Sequence, residues 1–130
     1  MAVDNIKLSF SDRFEGSVQT PNGNLPIGVN AFEPYHLLFG ALGSCFYATF
    51  LSIAKKKRLR FSGVEIEISG VKRESVPQTL ERVKILLKVF NPSDEKQFIR
   101  SAELGAEYCS IHETVSRVAA IDLKVDFGYK

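Results

Sequence analysis

Residues 34–57 read PYHLLFGALGSCFYATFLSIAKKK. No proline follows Pro34 in this stretch, and proline is favoured at the first position of a helix. The stretch ends in lysines, and the helix dipole favours cations at the end of a helix. Apolar residues occur on every side of the predicted helix, which indicates that protein surrounds it. We therefore expect one long central helix, with Cys45 near its middle.

Alternation of apolar and polar residues predicts six strands along the rest of the chain. Three strands precede the long helix, and Pro21–Asn24 forms a turn between the second and the third. Two strands follow the helix as a hairpin, and one strand ends the chain. The predicted strands are residues 3–10, 14–20, 25–29, 63–68, 80–90 and 121–129.

Two further helices are predicted before the last strand. Asn91 is expected to cap the first of them, with Pro92 at its first position. Ser110 and Glu113 have the spacing of a capping box, so a short helix is expected to begin at Ser110 and to run to about Ala119. The fold class is therefore α+β, with mostly antiparallel sheets around a long central helix in a single domain, residues 1–130.

The composition is that of an ordinary soluble domain. The chain has 130 residues and a net charge of +2, and no basic stripe carries the interleaved aromatic residues of a nucleic-acid surface. Polar and small residues interrupt the long helix, which predicts a poor membrane span. No apolar run typical of a signal peptide follows Met1. We therefore expect a cytoplasmic protein that binds neither nucleic acid nor membrane.

Cys45 and Cys109 are the only cysteines, and permanent disulfides are rare in a reducing compartment. They are either two unrelated buried thiols, which composition alone favours, or a redox pair that cycles. Cys109 would lie just outside a helix N-terminus, where the dipole favours a thiolate. Cys45 would need a cation or a donor from elsewhere. Arg13 is a candidate by residue type, although a surface arginine is the commoner role.

Cys109 and His112 have a Cys-x-x-His spacing, which is half of a zinc site. No second pair at a suitable spacing accompanies them. We therefore expect no metal and no cofactor.

Pro34 to Cys45 resembles a segment of the OsmC/Ohr family, the osmotically inducible and organic hydroperoxide resistance proteins. In that family a proline, a leucine three residues later and a run of small residues precede a cysteine on a central helix. Glu107-Tyr-Cys109-Ser resembles the segment around the family's second cysteine. The order of the predicted strands and helices also fits, so the resemblance spans essentially the whole chain.

The resemblance implies an enzyme that reduces organic hydroperoxides with thiols. Cys45 would be the peroxidatic thiolate and Cys109 the resolving thiol, which together form a disulfide that an external dithiol reduces. The resemblance also implies an intertwined homodimer, with two central helices back to back and the active sites at the interface.

The chain departs from the peroxidase branches at several positions. Tyr35 and His36 occupy the positions where those branches commonly have a glutamate that pairs with an arginine, and Glu33 precedes the proline. Arg13 lies one residue from the expected arginine position, and Ser110 follows Cys109 where proline is usual. The alternative to a peroxidase is a non-catalytic OsmC-like protein that binds a small apolar ligand at the dimer interface.

Overall fold

The structure, a computed structural model, describes residues 1–130, all of the chain. The chain divides into two compact units, Met1–Leu38 and Phe39–Lys130. The boundary falls within the long helix α1, Pro34–Lys56. The prediction of a single domain over residues 1–130 stays a prediction.

The N-terminal unit contains a three-stranded antiparallel sheet in the order β1-β2-β3. Its strands are β1 (Lys7–Phe10), β2 (Glu15–Thr20) and β3 (Gly23–Gly28). β1 is shorter than predicted, because its ladder to β2 starts only at Lys7. The predicted turn is also tighter, because Thr20 pairs with Gly23 and leaves Pro21 and Asn22 as the loop.

The second unit contains the sheet β4-β5-β6, with β4 at Gly63–Lys72, β5 at Leu80–Phe90 and β6 at Ala120–Gly128. The predicted hairpin of β4 and β5 is confirmed as an antiparallel pair, whereas β5 and β6 pair in parallel. The alternating sequence puts one apolar row across the three strands, since directly paired residues share a face. Ile85, for example, lies between Ile68 and Leu123.

Helix α1 packs against the sheet of the second unit through a face of large residues. Gly43 marks the closest approach, because a Cβ atom there would lie 3.1 Å from the Ile68 side chain. The opposite side of α1 is exposed, at small residues spaced four apart. The sequence predicted that protein surrounds the helix, but this chain covers only one side of it. The buried residues are Leu42, Gly43, Phe46, Phe50 and Ala54, and the exposed ones are Gly40, Ser44, Ala48 and Ser52.

α1 is the one helix that is long and apolar enough to meet a length-and-composition criterion for crossing a membrane. A core helix of a water-soluble protein passes the same criterion. Phe46 and Phe50 are fully buried against the rest of the second unit, which is the pattern of such a core helix.

Two short helices, α2 (Glu95–Tyr108) and α3 (Ser110–Ser116), connect β5 to β6. α2 begins later than predicted, because Asp94, and not Asn91, caps it by accepting a hydrogen bond from the Gln97 N–H at 3.1 Å. Asn91 instead has a left-handed backbone, with φ of 53°, and so lies outside the helix.

α2 meets α1 at Gly105. A Cβ atom there would lie 3.1 to 3.2 Å from the Cα, Cβ and N atoms of Phe50. The absence of a side chain at Gly105 allows the two helices to approach this closely, since a Cβ atom there would make unusually tight contacts. The aromatic rings of Phe50, Phe61 and Phe98 pack together beside the crossing, with centroids 5.5 to 6.2 Å apart.

We expect Gly105→Ala to destabilise the fold. Overpacking costs about 1–3 kcal/mol, which exceeds the gain of about 1 kcal/mol in helix propensity, and the opposing atoms belong largely to backbone. Gly40→Ala is the matched control, because a Cβ atom at Gly40 meets nothing within 4 Å. Urea unfolding followed by circular dichroism, at equal protein concentrations, measures both. Equal stabilisation by the two substitutions would show that the crossing tolerates a methyl group.

Candidate functional site

The second unit brings Cys45 and Cys109 together, and both are free thiols. Cys45 lies on α1 and is half-buried, whereas Cys109 lies between α2 and α3 and is 1% exposed. The two thiols lie close enough that each shifts the pKa of the other. The sequence named both residues, and their proximity is a finding of the structure.

Cys109 is itself the N-cap of α3. Its backbone is extended, with φ of −80° and ψ of 121°, and its Sγ accepts a hydrogen bond from the His112 N–H at 3.4 Å. The expected capping box with Ser110 as the cap is therefore wrong by one residue. Ser110 is instead the first residue of α3, and its side chain is free to face Cys45.

The start of α3 faces the sulfur of Cys45. The hydroxyl Oγ of Ser110 lies 3.9 Å from Cys45 Sγ. The backbone N–H groups of Ser110 and Ile111 also lower the pKa of that sulfur. Sequence reasoning did not assign these donors to Cys45, although it did predict that a helix begins at this point of the chain.

The two thiols have opposite electrostatic environments. Desolvation by burial raises the pKa of Cys45, but the donors at the start of α3 and the Cys109 thiol outweigh it and lower the pKa below that of an ordinary thiol. Desolvation by burial raises the pKa of Cys109, the backbone N–H groups of His112 and Ile111 oppose this shift, and the nearby Cys45 raises the pKa further. Cys45 is therefore the first of the pair to ionise.

His112 contributes to the site through its backbone. Burial lowers the pKa of its imidazole, and the carboxylate of Glu113 opposes this shift. No group of three or more histidine, cysteine or acidic side chains is placed to hold a metal ion.

Arg13 and Glu33 belong to the N-terminal unit. The Arg13 guanidinium lies 3.8 Å from the carboxylate of Glu15, and both side chains are exposed. The backbone N–H of Glu33 donates to Nδ1 of His36 at 3.0 Å, and Glu33 is exposed. A role of Arg13 or Glu33 at Cys45 stays a prediction.

A groove of about 570 Å³ lies between α1 and α2. Its α1 wall runs from Ala48 and Thr49 to Lys56, and Leu104 and Tyr108 form the α2 wall. The groove begins about one helical turn after Cys45 on α1, at Ala48 and Thr49, and it ends on α2 at Tyr108, the residue before Cys109. It is mostly apolar and has one cation at its far end.

The sequence model of the family described as OsmC-like protein matches residues 27–124. This match covers most of the chain, and the protein therefore belongs to the OsmC-like family, as the sequence comparison predicted. No curated protein matches the chain.

Solved structures share the fold over nearly their whole length. A hypothetical protein from Aquifex aeolicus VF5 is 25% identical, with a TM-score of 0.91 over 100% of this chain and 99% of that chain. An OsmC like protein from Mycoplasma pneumoniae is 14% identical, with a TM-score of 0.87 over 97% of each chain. The organic hydroperoxide resistance protein OhrB of Bacillus subtilis is 14% identical, with a TM-score of 0.74 over 96% of this chain and 98% of that chain. These matches confirm the α+β fold class of OsmC and Ohr proteins.

The two thiols should differ in reactivity in the native protein. We expect iodoacetamide to modify Cys45 well before Cys109 at neutral pH, because the Cys45 sulfur is more accessible and has the lower pKa. The rate at Cys45 should fall as the pH drops through that lowered pKa, because the thiolate is then protonated. Peptide mass spectrometry follows each residue separately. Faster modification of Cys109, or equal rates, would contradict the assignment.

Proposed function

We propose that this protein is a thiol-dependent peroxidase that reduces organic hydroperoxides through Cys45 and Cys109. The observation that carries the proposal is the pairing of a thiol of lowered pKa with a buried thiol of raised pKa that lies close to it. Two neighbouring titratable groups with opposite shifts are typical of a pair with divided chemical roles. Membership of the OsmC-like family and the shared fold with a protein named for organic hydroperoxide resistance support it.

In the first step, the Cys45 thiolate attacks the outer oxygen of the hydroperoxide. The O–O bond breaks, and the leaving alkoxide takes a proton from solvent to become an alcohol. Cys45 is left as a sulfenic acid. The lowered pKa supplies the thiolate for this attack at neutral pH.

In the second step, the Cys109 sulfur attacks the sulfenic sulfur of Cys45. A disulfide forms, and the hydroxyl group leaves as water with the proton of Cys109. An external dithiol then reduces this disulfide by exchange and is itself oxidised to a disulfide. A cysteine pair that cycles between thiols and a disulfide needs a supply of reducing dithiol, as a reducing compartment provides, which supports the proposal that the protein is cytoplasmic.

The apolar groove beside the thiol pair suits a small apolar substrate. Its walls at Ala48, Ile53 and Leu104 offer apolar contacts, and it reaches the turn of α1 that follows Cys45. Binding of such a molecule without chemistry is the alternative function, and the same groove would serve it. Turnover at Cys45 distinguishes the two.

Arg13 and Glu33 are the proposed cation and carboxylate that assist Cys45, by analogy with the arginine and glutamate of the peroxidase branches. The Arg13 guanidinium is the candidate that stabilises the thiolate. Glu33 is the candidate that orients this guanidinium.

The peroxidase cycle is testable by counting thiols after one equivalent of cumene hydroperoxide. We expect the wild-type protein to lose both free thiols and to regain them with dithiothreitol. Cys45→Ser should lose the reaction, because the attacking sulfur is gone. Cys109→Ser should stop at the sulfenic acid, which dimedone labels. Survival of both wild-type thiols, or undiminished peroxide consumption by Cys45→Ser, would refute the function and favour ligand binding.

We also propose that the protein is a homodimer. The exposed side of α1 presents small residues at Gly40, Ser44, Ala48 and Ser52, which would let a second helix approach closely. Ala48 and Ser52 also line the groove, so the groove would lie at the subunit interface. Most of the exposed large apolar side chains lie in the N-terminal unit, with Leu8 49%, Phe10 46% and Leu25 41% exposed. Exposed apolar surface of this kind marks an interaction surface.

Light scattering coupled to size exclusion should therefore give twice the mass of one chain. Ala48→Arg is expected to shift the protein toward monomer, because it places a long cation on the exposed face of α1. Glu103→Arg is the control, since Glu103 is an exposed residue of α2 with only a 4.0 Å ion pair to Arg100. A monomeric wild-type protein, or a dimer that Ala48→Arg leaves intact, would count against the proposed helix interface.

A further inference from the structure

Ser110 is the side chain that α3 presents to Cys45. Its hydroxyl lies 3.9 Å from the Cys45 sulfur, at the long end for a hydrogen bond to sulfur. The hydroxyl has no place in the cap of α3, because the Cys109 sulfur occupies that position. It is therefore available to donate its proton elsewhere, and a hydroxyl rotates freely to do so.

We propose that Ser110 donates a hydrogen bond to the Cys45 thiolate and activates it more than any cationic side chain does. This inference rests on the proposed function of Cys45 as the attacking sulfur. The hydroxyl adds to the backbone N–H groups of Ser110 and Ile111, which also lower the pKa of the same sulfur. Three donors from one short stretch of chain then favour the thiolate without requiring a cationic side chain.

The orientation of the Ser110 hydroxyl depends on which residue caps α3. If Ser110 were the cap, its hydroxyl would accept a hydrogen bond from its own helix and would be oriented along the backbone. Because Cys109 takes that role, Ser110 moves to the first position of α3 and its hydroxyl contacts Cys45. The same arrangement therefore places the Cys109 sulfur and the Ser110 donor beside Cys45.

A hydrogen bond to the charged form favours that form and lowers the pKa of the group. The same contact would steady the position of the sulfur during attack on a peroxide. The titratable group that contacts Cys45 from the α2–α3 junction is the Cys109 thiol, which is largely protonated when Cys45 ionises. His112 and Glu113 follow on α3, and His112 contacts the thiol pair through its backbone N–H, which donates to Cys109.

The test measures the pH dependence of Cys45 alkylation by iodoacetamide, with peptide mass spectrometry to separate Cys45 from Cys109. Ser110→Thr and Ser110→Val are matched in shape and differ only in the hydroxyl. We expect Ser110→Thr to keep the wild-type profile. Ser110→Val and Ser110→Ala should move the profile to higher pH and slow alkylation at pH 7 by about threefold or more, as the loss of one hydrogen bond implies.

Ser116→Ala is the control within α3, because the Ser116 hydroxyl donates to the Glu113 carbonyl at 2.7 Å and should leave the Cys45 profile unchanged. Arg13→Gln tests the competing cation. A wild-type profile in both Ser110→Val and Ser110→Ala would overturn the inference. So would a shift in Arg13→Gln that exceeds theirs.

Alkylation requires no peroxide, so the role of Ser110 can be tested independently of the peroxidase function. A wild-type protein that does not consume cumene hydroperoxide refutes the peroxidase function but leaves the Ser110 contact measurable. Normal peroxide consumption with an unchanged profile in the Ser110 variants refutes the role of Ser110 alone. Circular dichroism of each variant establishes that α3 is retained.

Discussion

The close crossing of α1 and α2 at Gly105 is the constraint on which the thiol pair depends. Gly105 lies against the backbone of Phe50. Cys45 lies about one helical turn before Phe50 on α1, and Cys109 lies about one turn after Gly105 on α2. Because a turn rises about 5.4 Å in any α-helix, the two helices carry their cysteines nearly equal distances from the crossing. Both cysteines therefore lie about one helical turn from the same point of contact.

The crossing alone would place two sulfurs together without distinguishing them. The end of α2 supplies the difference, because the chain turns at Cys109 into α3. That turn buries the Cys109 sulfur, which accepts a hydrogen bond from the His112 N–H. The Ser110 hydroxyl faces Cys45, and the backbone N–H of Ile111 lowers the pKa of both thiols. Burial thus keeps one thiol protonated, and hydrogen bonding favours the charged form of the other.

Much of this fold could be predicted from the sequence, because its strands alternate cleanly. β5 occupies the predicted residues 80–90, and α1 begins at Pro34 as expected. Local capping was harder to predict. Asn91-Pro92 and Ser110 both match helix-start patterns, but Asp94 and Cys109 are the caps. At each helix start, two residues could serve as the N-cap. Contacts between residues distant in sequence decide which one does, such as the hydrogen bond that Asn91 donates to Ser62.

The candidate site was predictable only in part for the same physical reason. The sequence identifies both cysteines, but the distance between their sulfur atoms depends on how closely α1 and α2 approach at Gly105. Spacing alone suggested only half of a zinc site for Cys109 and His112, whereas in the structure His112 contacts Cys109 through its backbone N–H. The sequence did not predict the exposed side of α1. Small residues such as Ser44 and Ala48 are compatible with a buried position in a helix that is apolar on every side.

A sulfur cap at Cys109 has a further consequence for the site. Serine, asparagine and aspartate are the usual caps, and their oxygens accept more strongly than a thiol does. A weak cap costs α3 some stability, which a helix of seven residues cannot recover from its own length. The start of α3 therefore depends on packing, including its contact with Cys45 on α1. The residues that surround Cys45 and the residues that hold α3 in place are largely the same, which links the reactivity of the thiol to the local fold.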